Sequence, residues 1–318
     1  MWLYLFIGIA IFLLHRWYRE RQQVSNITQK YVLITGSDSG FGNLLARQLD
    51  AQGMPVLAAC LTEKGAEELK KVTSKRLQTT ILDVTKTESI MAAADWAKTV
   101  VGDKGLWGLV NNAGISIPTA PNIWMGIEDF RKVMDVNLFG VIEVTLNFLP
   151  MLMKSRGRLV NVASVFGRNS VVGGGYCLSK YGVESFSDSL RCELYSFGVK
   201  VCIIEPGFFK TAMTDPLMIE KSLEQLWSRL PAETKDAYGE HFLKEYKKTV
   251  TEMAPNLCSH DLSKVTDCME HALTAVYPRK RYSAGWDAKL FWIPISYFPS
   301  AFSDFWFTLH TPKPQPSI

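Results

Sequence analysis

Tyr176 and Lys180 stand four apart in "YCLSK" (176–180), at the head of a stretch with helical character over 176–197. Residues at this spacing share one face of a helix. An ammonium beside a phenol favours the phenolate. Lys180 is therefore expected to lower the Tyr176 pKa from about 10 and make a usable acid/base near neutrality. Such pairs also occur on solvated helices, where they carry no chemistry. A second group, Gly36, Gly40 and Gly42 in "ITGSDSGFG" (34–42), ends an apolar strand and opens a helix. Glycines there permit a tight turn and let backbone N–H groups approach a pyrophosphate at the helix N-terminus. The same turn carries an acid, Asp38, where anions should be welcome. "NNAG" (111–114) and Ser164 close two further strands.

From residue 31 onward, strand-like and helix-like segments alternate. The expected strands are 31–35, 55–61, 77–84, 105–114, 157–164 and 200–207. Helices are expected over 42–53, 64–73, 87–101, 127–154 and 176–197. The strands are continuous apolar runs with little alternation, the pattern of a parallel sheet buried on both faces. Repeated β-α-β order predicts a doubly wound, Rossmann-like α/β fold with ligands at the C-terminal ends of the strands. The glycine turn, NNAG and Ser164 fall at such ends. Residues 208–270 break the rhythm with helix-like "PLMIEKSLEQLWSRL" and "KEYKKTVTEM". The stretch is too long for a loop, so it reads as a helical substrate lid inserted in one catalytic domain over 30–318.

The 318 residues are 47% hydrophobic and 21% charged, which fits a folded globular chain and excludes a disordered one. A net charge of +4 with no basic run in the body gives no nucleic-acid surface. The six cysteines form no CxxC pair and no zinc-like spacing with the histidines. Neither a metal site nor a disulfide framework is expected, and most cysteines read as buried thiols.

Residues 1–14, "MWLYLFIGIAIFLL", carry no charge, and "HRWYRER" follows. No small-residue cleavage site follows, and the basic flank lies on the C-terminal side, so a retained membrane anchor over 1–22 is expected. Trp2, Tyr4, Trp17 and Tyr18 fit interfacial aromatics, and the arginines favour a cytosolic body. The sequon Asn26-Ile27-Thr28 is usable only on the luminal side and leaves that topology open. "LFWIPISYFPSAFSDFWFTL" (290–309) reads either as a tail packed on the core or as a second membrane- or substrate-contacting surface.

The glycine turn, NNAG, serine and YxxxK, in this order, resemble the short-chain dehydrogenase/reductase superfamily over residues 30–215. "TGSDSGFGNLLARQLD", "GGGYCLSKYGVESFSDSLR" and "RYSAGWDAKLFWIP" look like the microsomal retinol and 3α(17β)-hydroxysteroid dehydrogenases. The resemblance implies Tyr176 as catalytic acid/base, Lys180 as the group that lowers its pKa and contacts the cofactor ribose, and Ser164 as the holder of the substrate oxygen. It implies that Asn137, in "VMDVNLFG", holds a backbone kink and the water of a proton relay. Without the resemblance, Asn137 reads as a helix-interior asparagine bonding locally. For the cofactor it implies Gly36, Asp38, Ser39, Gly40, Phe41 and Gly42 in the turn, and Asp83 at the adenine. Asn112 and Gly114 would support the cleft, with Pro206 and Thr211 over the nicotinamide. It also implies an endoplasmic reticulum (microsomal) membrane location. Ser37 stands where these relatives usually have cysteine, and Ala163 where many have serine.

Asp38 reads as a selector of NAD. A carboxylate near the 2′ position repels a 2′-phosphate and accepts a hydrogen bond from a 2′-hydroxyl. The usual acid ending the second strand is absent: Cys60 stands there, and Glu63 is a weaker candidate. The alternative is that Asp38 stabilises the turn through its own backbone. The expected activity is NAD-dependent oxidation of retinol and/or 3α- and 17β-hydroxysteroids. Phe208, Phe209, Met213, Leu217, Met218, Leu226 and Trp227 supply apolar surface in the lid. The rivals are an NADPH-dependent reductase of retinal or ketosteroids and a non-catalytic cofactor- or lipid-binding membrane protein. The expected partners are a lipophilic small molecule and membrane lipid, with a homodimer left open.

Overall fold

The computed structural model describes residues 2–253, 257–309 and 311–314. Among these, seven strands pair in parallel: β1 (Val32–Thr35), β2 (Val56–Cys60), β3 (Gln78–Ile81), β4 (Gly108–Asn111), β5 (Arg158–Val162), β6 (Lys200–Pro206) and β7 (Arg281–Ala284). Their order is β3-β2-β1-β4-β5-β6-β7. Strands β1, β2, β4 and β5 are buried at every residue, as a sheet covered on both faces requires. Strand β3 closes one edge and is partly exposed. The winding reverses between β1 and β4, which opens a crevice at their C-terminal ends.

Helices α2 (Gly40–Ala51) and α3 (Glu63–Lys71) cover one face, and α4 (Thr87–Val101) lies on the other. The helix expected over 127–154 runs as α5 (Ile127–Met134), a π turn (Asp135–Phe139) and α6 (Gly140–Ser155). Residues 127–155 form the one described helix long and apolar enough to cross a membrane, yet 44% of its apolar window is buried. It packs Val144, Phe148 and Leu152 against the sheet, so it is a core helix. Helix α7 (Gly175–Glu193) follows β5 and carries the Tyr176 motif.

The stretch expected as a lid, 208–270, contains α8 (Pro216–Ser228), α9 (Ala232–Lys248, bent at Gly239) and a π turn (Thr249–Met253). Residues 254–256 of the expected lid, and Met1 of the expected anchor, lie outside the described residues. The stretch from Ser263 packs on the sheet. As α10 (Ser263–Thr274) it buries Val265, Met269, Ala272 and Leu273 in the core beneath the sheet. The lid has its own apolar centre, into which Trp124 from the β4–α5 connection inserts. The Trp124 ring lies 5.0 Å from Trp227, 5.3 Å from Tyr238 and 5.8 Å from Phe242.

Helix α1 (Trp2–Glu20) is exposed along its apolar run, and its last turn is tied to the body. Glu20 pairs with Arg279, and the Glu20 carbonyl lies 2.8 Å from His271 Nε2. The Glu20 carbonyl can only accept, so Nε2 carries the proton, and in the neutral ring Nδ1 accepts from the Tyr282 hydroxyl, which itself accepts from Arg279 N. The tail divides between the two readings of 290–309. Trp292 packs on Phe166 and Phe208, whereas Phe298, Phe305 and Leu309, the latter two in α11 (Ser300–Leu309), are exposed. Four of the six cysteines are buried; Cys192 is exposed and Cys268 intermediate.

Candidate active site

The glycine turn is built by close approach. Gly36 has φ +67°, and a Cβ there would lie 2.8 Å from Ala113 Cα. A Cβ on Gly42 would lie 2.4 Å from the Gly36 carbonyl oxygen and 2.5 Å from Asn112 Nδ2. Asn112 braces the turn, donating from Nδ2 to the carbonyls of Thr35 (2.9 Å) and Gly36 (3.1 Å). Ser39 precedes α2 in extended conformation without capping it through its side chain, and the first turn holds no acid. The first N–H groups of α2 are thus left for an anion. These residues fit a dinucleotide's phosphates. Thr211 lies opposite, its Cγ2 3.9 Å from where a Gly40 Cβ would sit, and Phe41 meets Phe209 edge to face.

Asp38 bonds outside its own turn. One carboxylate oxygen accepts from Leu61 N (2.8 Å), the other from Thr62 N (3.0 Å) and Thr62 Oγ1 (2.8 Å). Its charge is therefore fixed where β2 passes into α3, and the alternative of stabilisation through its own backbone is not what the bonds show. Asp83, past the end of β3, accepts from Thr85 N and Oγ1 and pairs with Lys86 at 3.6 Å. The Thr85 hydroxyl is the main cause that holds its carboxyl below the usual range.

At the opposite wall, Ser164 lies two residues past β5 and its hydroxyl accepts from Phe166 N at 3.2 Å. Lys180 is buried and donates from Nζ to the Val162 carbonyl at 2.9 Å, with Nζ 5.7 Å from the Tyr176 ring centre. Burial pulls Lys180 down to about 8, against the opposing Glu184 charge. In the protein alone, burial pushes the Tyr176 phenol up to about 12, with the Ser164 hydrogen bond opposing it. A desolvated phenolate costs more than these neighbours return.

Asn137 is wholly buried in the π turn. Its Oδ1 accepts from Ile115 N (2.8 Å), and its Nδ2 donates to the Ile115 carbonyl (2.8 Å) and to Ser179 Oγ (3.1 Å). It joins the loop after NNAG to α7, which goes beyond a locally bonded helix asparagine. Gly114 packs there too: a Cβ would lie 3.2 Å from Asn137 Oδ1 and 3.8 Å from Lys180 Nζ.

These walls enclose a cavity of about 220 Å³ that Asn112, Ser164, Tyr176, Lys180, Pro206 and Thr211 all line. Of the expected apolar lid residues, Phe208, Phe209 and Met213 line it. Leu226 and Trp227 instead fill the lid's own centre, and Leu217 and Met218 face solvent. Ile117, Phe166, Val172, Ile219 and Val250 line it without having been singled out, since each is an ordinary apolar residue in sequence. Asp287 was also missed: its Oδ2 accepts from Phe208 N at 2.8 Å, fixing the loop after β6. A Cβ on Gly207 would lie 2.1 Å from that oxygen, so the "PG" after β6 was its available signal.

A Rossmann-type crevice with a glycine cradle on one wall and a serine–tyrosine–lysine set on the other defines a nucleotide-dependent dehydrogenase. The short chain dehydrogenase family pattern matches residues 30–221, and the chain belongs to that family. It is 62% identical to retinol dehydrogenase 7 of Rattus norvegicus over 96% of each chain. It is 59% identical to human retinol dehydrogenase 16 and 55% identical to human 17-beta-hydroxysteroid dehydrogenase type 6, each over 100% of both chains. Among solved structures, a Burkholderia phymatum short chain dehydrogenase/reductase in complex with NAD has the same fold. It gives a TM-score of 0.68 at 21% identity, over 91% of this chain and 98% of that one.

Proposed function

We propose that the chain oxidises lipophilic alcohols, retinol and/or 3α- and 17β-hydroxysteroids, with NAD. The observation that carries this reading is that Ser164, Tyr176 and Lys180 line one largely apolar cavity. An alcohol entering it places its oxygen at the Ser164 hydroxyl and the Tyr176 phenol. Ser164 holds that oxygen as it becomes a carbonyl, and Tyr176 receives its proton. Lys180 supplies the positive charge that the phenolate needs nearby, and Asn137 fixes the catalytic helix against the cleft loop. The bound nicotinamide supplies the hydride acceptor, which no side chain can be. Relatives named for retinol and for 17-beta-hydroxysteroids support the substrate class.

With Tyr176 near 12 and Lys180 near 8, oxidation requires the rarer pairing of phenolate with ammonium. Its rate rises with pH until Lys180 begins to lose charge, near 8. The phenol that holds its proton at neutrality also favours the reverse reaction, so carbonyl reduction is a second reading. NAD over NADP rests on the fixed Asp38 charge. The apolar run of α1 contacts membrane lipid, that of the endoplasmic reticulum, as one anchored element of a single domain. A second copy of the chain would cover the exposed Leu146 of α6 and Leu178 and Tyr181 of α7.

The test is to incubate membranes carrying the protein with NAD or NADP and a panel of retinol and hydroxysteroids, and to compare kcat/KM. Tyr176→Phe should lose about 10²-fold or more in turnover. Unchanged turnover would remove the basis for this reading.

A further inference from the structure

The proposed chemistry makes no use of Glu184, a buried acid one turn beyond Lys180 and two beyond Tyr176 on the same stripe of α7. Its Oε2 pairs with Arg281 of β7. Arg281 also reaches Glu205 Oε1 of β6 at 3.3 Å and Asp188 Oδ2 at 2.6 Å. Arg168 reaches the same Glu205 oxygen at 3.4 Å. Glu184 Oε1 has no hydrogen-bond partner among the described residues. The turn after Ser164 lies flat on this stripe. A Cβ on Gly167 would be 2.9 Å from the Lys180 carbonyl oxygen and 3.0 Å from Glu184 Cγ. Glu184 is buried while Arg281 is only partly so, and the cost of desolvating the acid offsets much of the attraction. The Glu184 charge also acts on Lys180, one turn back along the helix.

We propose that Glu184 is a positioning residue for the reaction: its buried carboxylate, held in place by Arg281, keeps Lys180 in the ammonium form that Tyr176 requires. This rests on the reading of Tyr176 and Lys180 as the acid/base pair. The charged groups facing Glu184 are Arg281 from β7, Glu205 from β6, Arg168 from the loop before α7, and Lys180 and Asp188 from its own helix. The Glu184 charge opposes the burial that drags Lys180 down. Burial, then the Glu205 charge, push Glu184 itself up to about 7, with Arg281 opposing. Below that pH Glu184 takes up a proton and its support of Lys180 is withdrawn.

The test compares Glu184→Gln with Asp188→Asn, which removes the other helix carboxylate on Arg281, one turn farther from Lys180, and leaves the Glu184–Arg281 pair in place. Two quantities are read: the pH of half-maximal acetylation of Lys180 by acetic anhydride, followed by mass spectrometry, and the pH at which the rise in oxidation rate ends. Glu184→Gln should move both down by on the order of one unit, and Asp188→Asn should leave both in place. If Glu184→Gln does not fold, Arg281→Gln asks the same question, since it removes the cation that favours the charged form of Glu184. Both quantities unchanged in a folded variant would overturn the proposal, as would an equal shift in Asp188→Asn. Acetylation needs no turnover. A Tyr176→Phe enzyme of undiminished activity would sink the acid/base reading while the Lys180 titration still answers for Glu184.

Discussion

Asn137 offers a perturbation whose size follows from its bonds. It makes two complementary hydrogen bonds to a single residue, Ile115, and a third to Ser179, whose hydroxyl donates in turn to the Tyr176 carbonyl at 2.7 Å. Asn137→Ala strands the Ile115 N–H and C=O. At about 1–3 kcal/mol for each unsatisfied group, the loss is about 2–6 kcal/mol. For a chain of this size that lowers Tm by roughly 3–9 °C. Asn137→Asp keeps the shape but turns a carboxylate oxygen toward the Ile115 carbonyl. Only the protonated acid can donate there, so its folded-state pKa is raised above the unfolded value of about 3.9.

The sign follows from linkage. Below pH of about 4 the acid is neutral in both states, and the variant has nearly the stability of the parent. Above it the unfolded chain ionises while the folded one keeps its proton. Stability then falls by about 1.4 kcal/mol per pH unit until the raised folded pKa is passed. Thermal melts of parent, Ala and Asp variants from pH 4 to 8 measure this directly. A parent-like Tm for Asn137→Ala, or an Asp variant whose difference from the parent does not vary with pH, would refute the bracing role.

Asp38→Asn should narrow NAD:NADP discrimination in kcat/KM by on the order of tenfold, because a fixed negative charge at the β2–α3 passage is removed; steady-state kinetics with both cofactors check it. Trp124→Ala empties the centre of the lid at about 3–5 kcal/mol. Proteolytic cutting within 216–253 should accelerate about a hundredfold or more, with Tyr176 and its neighbours left ordered. Removing residues 2–14 spares the Glu20–Arg279 tie and should shift the protein from the membrane pellet to the supernatant, with the body's thermal transition retained.

The parallel sheet was readable because buried strands are unbroken apolar runs such as "VLAAC" in β2, and the local pattern and the global burial agree. Strand β7 escaped because "RYSA" is four residues with alternating burial, paired only through contact with distant β6. The π turn at 135–139 inserts its bulge without interrupting the apolar period of 127–154, so nothing local marks it. Helix α10 looked like more lid because its apolar face is set by α2 and the sheet, far back in the chain. That Asn112, Ser164, Tyr176 and Lys180 meet at one cavity was legible from residue type and order, but the electrostatics there were not. The Tyr176 pKa is decided by how much low-dielectric surface encloses the ring, a quantity that no spacing encodes.

Asp38 shows the same division within one residue. In sequence it is an acid inside a turn meant for anions, while Cys60 stands where an acid would end the second strand. In space the two oddities are one arrangement. Bonds to Leu61 N and Thr62 N carry the Asp38 carboxylate across to the end of β2, so the turn supplies the charge that the strand lacks. The close fit continues into α3, where a Cβ on Gly65 would lie 2.4 Å from Asp38 Oδ1. Gly65 and Asp38 are therefore coupled. Gly65→Ala should displace the carboxylate and narrow cofactor discrimination in the same direction as Asp38→Asn. In the double variant the two effects should fall short of their sum, the mark of one shared interaction. Fully additive effects would mean that Gly65 acts only through the packing of α3 and that the Asp38 charge is not held where the structure holds it.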